Sequence, residues 1–226
     1  NYILARCYSE DDVSLDNWVV QDVTDGNSDR SVNNKGFQVF GTITKTSVAT
    51  GADLVGYQNT TGSVNNYLKQ PYNSGMDFGT DSFSVTWWMK ITGNIANSEY
   101  VYDRQGGNGN RHAIYYSSPN NGSLNFYTTV PGSASEMYAE NINDYKDQWT
   151  CYTAVRYSNG DMTIFINGDV GYAATGLTMR DLDNTSASLF IGIRHSVDGN
   201  AMSQTELALM RFSKSVPSPE QIKKIY

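Results

Sequence analysis

Phe83-Ser84-Val85-Thr86-Trp87-Trp88-Met89-Lys90-Ile91 is the stretch on which the fold turns. Phe83, Val85, Trp87, Met89 and Ile91 fall at every second position, and a period of two places them on one face of a β-strand. Outward from this run, shorter alternating segments cover residues 113–117, 123–129, 149–157, 162–167, 189–194 and 206–213. Turn signals separate them: Gly106-Gly107-Asn108-Gly109, Asn120-Asn121-Gly122, Asn159-Gly160-Asp161, Asn167-Gly168-Asp169 and Asp198-Gly199-Asn200. Asn159-Gly160 reads as a tight hairpin turn, because Asn-Gly tolerates the positive φ that such turns need. Upstream, residues 2–8, 18–23 and 37–44 are candidate strands between polar, turn-rich stretches.

A helix is expected only at the end of the chain. Ser218 can cap it, Pro219 suits its first position, and Gln221 completes a capping box, with Ile222 and Ile225 directed at the sandwich. Many short antiparallel strands with a terminal helix, and no repeat of 20–50 residues, make this an all-β, two-sheet sandwich. The chain of 226 residues carries a net charge of −7, 12% aromatics and only 17% charged residues. Its acidity excludes the electrostatic footprint of a nucleic-acid binder. No run of 18 apolar residues exists to insert in a membrane, and the spread of aromatics excludes wholesale disorder. The sequence starts at Asn1 with neither Met nor a leader, so a piece of a longer polypeptide is expected. Cys7 and Cys151 are read as two free thiols or as one pair, and spacing alone leaves both open.

The motifs carry a resemblance. The strand at 83–90 resembles the central strand of laminin-G-like, pentraxin-like modules. Trp149-Thr150-Cys151-Tyr152 with Met162-Thr163-Ile164-Phe165-Ile166-Asn167-Gly168 resembles their hairpin. Leu189-Phe190-Ile191-Gly192, Ala208-Leu209-Met210-Arg211-Phe212-Ser213 and the tail Pro217–Tyr226 resemble their last elements, in the same order. The resemblance implies a concanavalin A-like jelly roll over residues 47–226. Residues 1–46 are then an extra N-terminal β segment, or the end of a preceding domain. The lead-in at 47–57 and 67–80 resembles that of modules in tailed-bacteriophage tail-fibre and virion structural proteins. This implies a virion location, other virion proteins as partners, and a homo-oligomer, with a trimer favoured.

Glycoside hydrolases need two carboxylates at a set separation. The nearest pairs, Glu136 with Glu140, Asp181 with Asp183 and Asp144 with Asp147, sit in polar stretches and read as solvated surface, so no catalytic residue is assigned. The two histidines follow arginines beside strand ends, and tyrosines cluster around them, with Tyr100 and Tyr127 close by. Such rings stack on the apolar faces of sugars while cations and imidazoles bind their polar groups. The ligand-binding candidates are therefore Tyr102, Arg104, Arg111, His112, Tyr115, Tyr116, Arg194 and His195. Relatives of this fold hold calcium with loop carboxylates, which makes Asp103 and Asp198 candidate ligands, with Asp161, Asp169, Asp181 and Asp183 behind them. No D-x-[DN]-x-[DN]-G loop is present.

The function expected is a non-enzymatic adhesion module that binds a host-surface glycan or similar polymer, on a virion or otherwise extracellular. The alternative is a structural decoration or assembly domain without a ligand. A polysaccharide-degrading enzyme is the third reading.

Overall fold

The computed structural model describes residues 36–51, 54–59, 61–93, 97–117, 122–139 and 142–225. The run that alternates most strictly becomes β5 (Phe83–Ile91), at the centre of one sheet. Across that sheet the order is β12 (Asp169–Ala174), β11 (Met162–Ile166), β10 (Thr150–Arg156), β5, β14 (Thr205–Ser213), β3 (Val55–Gln58) and β2 (Thr44–Ser47). The second sheet runs β1 (Gln38–Phe40), β4 (Tyr67–Gln70), β13 (Ser188–Ile191), β6 (Glu99–Gln105), β7 (Arg111–Ser117), β8 (Ser123–Val130) and β9 (Ser133–Ala139). All pairings among the described strands are antiparallel. The two seven-stranded sheets stack as the jelly-roll sandwich expected.

Burial explains why β5 is legible. Phe83, Val85, Trp87, Met89 and Ile91 are each at most 2% exposed and meet Tyr102, Ile114, Tyr116, Leu124 and Phe126 of the facing sheet in one core. Each such side chain contributes about 1.5–3 kcal/mol when fully buried. Trp87 stacks on its cross-strand neighbour Tyr152 at 5.4 Å. The β10–β11 hairpin turns on Gly160 at φ +93, where a Cβ would lie 2.4 Å from the Leu177 carbonyl oxygen.

The terminal helix α1 (Pro219–Ile225) has its capping box. Ser218 N donates to Gln221 Oε1 at 2.8 Å, and Gln221 N donates to Ser218 Oγ at 3.3 Å. Ile222 packs on Val155 and Phe165. Ile225 does not face the sandwich as expected: it is the last helical residue and is 41% exposed. Strands β3, β4, β6, β9 and β12 were not expected: polar residues mask the alternation in β6 and β9, and β12 is almost wholly exposed and has no buried face to set one. Candidate strands 2–8 and 18–23, and Cys7, lie outside the described residues. Cys151 is a buried thiol whose pKa burial pushes up to about 11.

Candidate functional site

The outer face of the second sheet is built by strand parity. In β7, His112, Ile114 and Tyr116 point into the core, so Arg111, Ala113 and Tyr115 point outward. A β-bulge between Tyr100 and Tyr102 then changes the step of β6. Tyr100 pairs with Tyr115 and Asp103 with Ala113, both on the outer face. Without that bulge, Tyr100 and Asp103 would lie on opposite faces.

Asp103 is the hub of the site and is fully buried. Its carboxylate accepts from Arg111 Nε at 2.7 Å and Nη2 at 2.8 Å. It also accepts the backbone N–H of His195 at 2.9 Å and pairs with His195 Nδ1 at 2.7 Å. Burial opposes the charge on Arg111, but the Asp103 carboxylate overrides it and holds the guanidinium protonated. That guanidinium lies over the rings of Tyr100 (5.2 Å) and Tyr127 (5.4 Å), a cation–π geometry strengthened by desolvation. Tyr100 stacks on Tyr115 at 4.9 Å, and the Tyr115 hydroxyl donates to the Glu136 carboxylate. Asn125 Nδ2 ties the layer together by donating to the Tyr115 and Ser123 carbonyls, both at 3.2 Å.

A loop over residues 192–201 roofs part of this face. Gly192 N donates to the Val101 carbonyl at 3.0 Å, and Ile193 and Ala201 pack on Phe190. Val197 takes φ +54 at the bend, a strained value for a β-branched residue. Asp198 accepts from Ser196 Oγ (2.6 Å), Asn200 Nδ2 (2.9 Å) and Arg194 Nη1 (3.0 Å). Burial works against its charge, but these three partners hold it below the usual carboxylate range. Half-buried Tyr115, Tyr127, Glu136, Arg194 and His195 thus border solvent above a buried Asp103–Arg111 base. On the other side of the loop the same face continues through Phe40, which stacks on Tyr67 at 4.5 Å, and Lys69, 5.3 Å over Phe190.

Arg111, Tyr115, Arg194 and His195 therefore meet as the sequence suggests. Tyr102, Arg104, His112 and Tyr116 do not: each is at most 1% exposed and points between the sheets. The reason is alternation, which sends neighbours in one strand to opposite faces. Arg104 pairs with Asp77 at 2.5 Å and donates to the Asn184 carbonyl at 3.1 Å. Tyr102 OH lies 3.2 Å from His112 Nδ1. Burial, with Arg104 and Arg156 nearby, holds His112 well below the usual histidine range. Tyr116 OH bonds Glu99 at 2.6 Å and Thr205 at 2.7 Å. Sequence reasoning did not find the hub role of Asp103 or the layer role of Asn125; both required the bulge and the register.

The carboxylates considered for calcium are each engaged by other partners. Arg111 and His195 take up the oxygens of Asp103, and Arg194, Ser196 and Asn200 take up those of Asp198. Asp161 is bound to Asn159 and Gly176, Asp169 to Lys223, Asp181 to the Asp183 N–H, and Asp183 to the Gly79 N–H. Among the described residues, no group of three or more His, Cys, Asp or Glu side chains gathers as a metal would need. No described helix is long and apolar enough to cross a membrane.

The model of the Concanavalin A-like lectin/glucanases superfamily matches residues 58–223. No curated protein matches the sequence. Several solved structures are similar. The binding domain of Paraclostridial Mosquitocidal Protein 1 superposes with a TM-score of 0.70 at 15% identity, covering 88% of this chain and 48% of that one. The Botulinum Neurotoxin serotype G binding domain gives 0.69 at 14%, covering 88% and 47%. The serotype D ligand binding domain, solved in complex with N-acetylneuraminic acid, gives 0.69 at 15%, covering 88% and 47%. The chain spans about half the length of these structures, and at this identity the likeness is one of fold.

Proposed function

The chain belongs to the Concanavalin A-like lectin/glucanases superfamily, and from that premise we propose that it is a non-enzymatic binding module for a glycan, seated on the outer face of the second sheet. One observation carries the reading. Tyr100, Tyr115 and Tyr127 form an aromatic layer on a buried Asp103–Arg111 pair, with His195, Arg194 and Glu136 at its rim. Aromatic faces suit the apolar faces of a sugar ring, and the rim supplies both donors and acceptors for its hydroxyls. Asp103 engages the Nδ1 side of His195, so the ring is oriented before a ligand arrives and less ordering is needed on binding. The serotype D ligand binding domain, solved in complex with N-acetylneuraminic acid, shares this fold over 47% of its length, and that supports the reading only by analogy.

The motif likeness at 47–57 and 67–80 supports a finer assignment: an adhesion module on a phage tail fibre or particle surface. In that setting several copies, three by preference, act together, and avidity compensates for weak single-site binding. A glycan array followed by calorimetry on the hits tests the ligand class, with Tyr127→Ala and His195→Ala as site variants. Binding that falls at least about tenfold in both variants, roughly the loss of one good contact, supports the site. A blank array, or hits bound equally by both variants, overturns it.

A further inference from the structure

One row of paired residues crosses the outer face of the second sheet. Register joins Lys69 to Phe190, Phe190 to Asp103, Asp103 to Ala113 and Ala113 to Tyr127. Residues directly opposite one another in paired strands share a face. Asp103 and Tyr127, inside the candidate site, are therefore in line with Phe190 and Lys69 on the far side of the 192–201 loop. There Phe190 packs with Tyr67 and Val197 in a cluster separate from the core between the sheets. Phe40 stacks on Tyr67 at 4.5 Å with the rings 9° from parallel, and Phe40 is itself 36% exposed. Tyr67 tilts against Phe190 at 5.8 Å, and Lys69 Nζ lies 5.3 Å from the Phe190 ring. The face thus carries a second aromatic platform, with a cation beside it.

We propose that Phe40, Tyr67 and Lys69 form a second subsite of the glycan face, so that the ligand is one linear oligosaccharide chain laid across the strands rather than a single terminal sugar. This deepens the glycan reading and rests on it. Spacing carries the inference. Phe40 on β1 stands five strand steps from Tyr127 on β8, roughly 24 Å at ~4.8 Å per step. No monosaccharide reaches both. The strand spacing is close to the length of one pyranose unit, so a chain crossing the strands advances about one ring per strand. The loop between the platforms exposes Ser196 and Asp198, joined by a 2.6 Å hydrogen bond, as polar groups for sugar hydroxyls. Both platforms hold their rings in stacks before a ligand arrives, which lowers the cost of ordering. Once one end of the chain is held, its contact with the other platform is intramolecular and gains from a high effective concentration.

Length ladders test the assignment. Cello-, chito- and malto-oligosaccharides, each as monomer, dimer, tetramer and hexamer, are titrated by calorimetry into the full 226-residue chain and into Phe40→Ala and Lys69→Ala. In a ladder that binds, affinity is expected to rise at least about tenfold from dimer to hexamer. That ratio should collapse towards one in both variants, whereas Tyr127→Ala should weaken dimer and hexamer alike. Thermal melts report whether each variant is folded, and if Phe40→Ala unfolds, Lys69→Ala decides the question. A ladder without a length gain, or a gain that both variants keep, overturns the second subsite; a loss in Tyr127→Ala then leaves the glycan reading standing. Two protein molecules on each hexamer, seen by light scattering, overturn it in favour of one short site per molecule. No binding in any ladder, or binding indifferent to Tyr127→Ala, overturns the glycan reading and this inference with it.

Discussion

Asp103 holds His195 twice, accepting its backbone N–H at 2.9 Å and engaging its Nδ1 at 2.7 Å across 92 positions of sequence. One buried carboxylate therefore fixes both the path of the 192–201 loop and the orientation of the imidazole at its rim. The same carboxylate neutralises Arg111, which underlies the tyrosine layer.

Replacing that hub tests the whole arrangement. Asp103→Asn leaves Arg111 buried without its counter-charge, and breaking a buried pair in this way costs about 3–5 kcal/mol. Chemical denaturation should show that loss, and glycan binding at equal folded fraction should fall with it. Arg111→Lys keeps the charge but loses the bidentate geometry and the ring contacts, so a smaller loss in the same two measurements is expected.

A second prediction concerns Glu99, which is buried and accepts from Tyr116 OH (2.6 Å) and Ser203 Oγ (2.7 Å), both neutral donors. Burial raises its pKa, against the hydrogen bonds from Tyr116 and Ser203 that favour the anion. The folded state then holds the proton more tightly than the unfolded chain. Its contribution is complete below the ordinary glutamate value of 4.5 and is lost as pH rises through the folded pKa. Glu99→Gln cannot ionise, so its urea midpoint should gain on that of the parent protein as pH goes from about 4 to about 7. Parallel pH curves would refute the assignment.

Gly160 offers a backbone test. Its φ is +93, and an added Cβ would meet the Leu177 carbonyl oxygen at 2.4 Å and Met179 N at 2.9 Å. Gly160→Ala adds left-handed strain to a clash with backbone that has nowhere to move. The expected loss is at least about 2 kcal/mol, read as a drop in Tm. Gly132, also at positive φ but with nothing within 4 Å, should cost less when changed to Ala.

Calcium gives a prediction of no effect. With Asp103 and Asp198 already engaged, the melting temperature in millimolar calcium should equal that in chelator. A ligand that binds only the folded state must raise it, so an upward shift would return calcium to consideration.

Much of the fold was readable along the chain, for a local reason. β5 was found residue for residue because five large apolar side chains share one buried face. The helix start at Ser218 was found because its cap is made by neighbours in sequence. β6 escaped because its polar residues, Glu99, Asp103 and Arg104, look like surface residues until their partners are known. The candidate site was half legible. One Arg-His pair lies on β7 and the other in the 192–201 loop, yet Tyr115 and Tyr116, neighbours in β7, differ only in which way they point.

What this sequence determined by itself was the class of structure: alternation, Asn-Gly turns and a capping box act over a few residues, and their physics is local. Which face of β7 carries the site was decided only in three dimensions. The bulge between Tyr100 and Tyr102 resets the parity of β6, and the two-sheet core takes His112, Ile114 and Tyr116 for burial. Asp103, Arg111 and His195 then come together because a charged group leaving water must find its partners wherever the fold has put them.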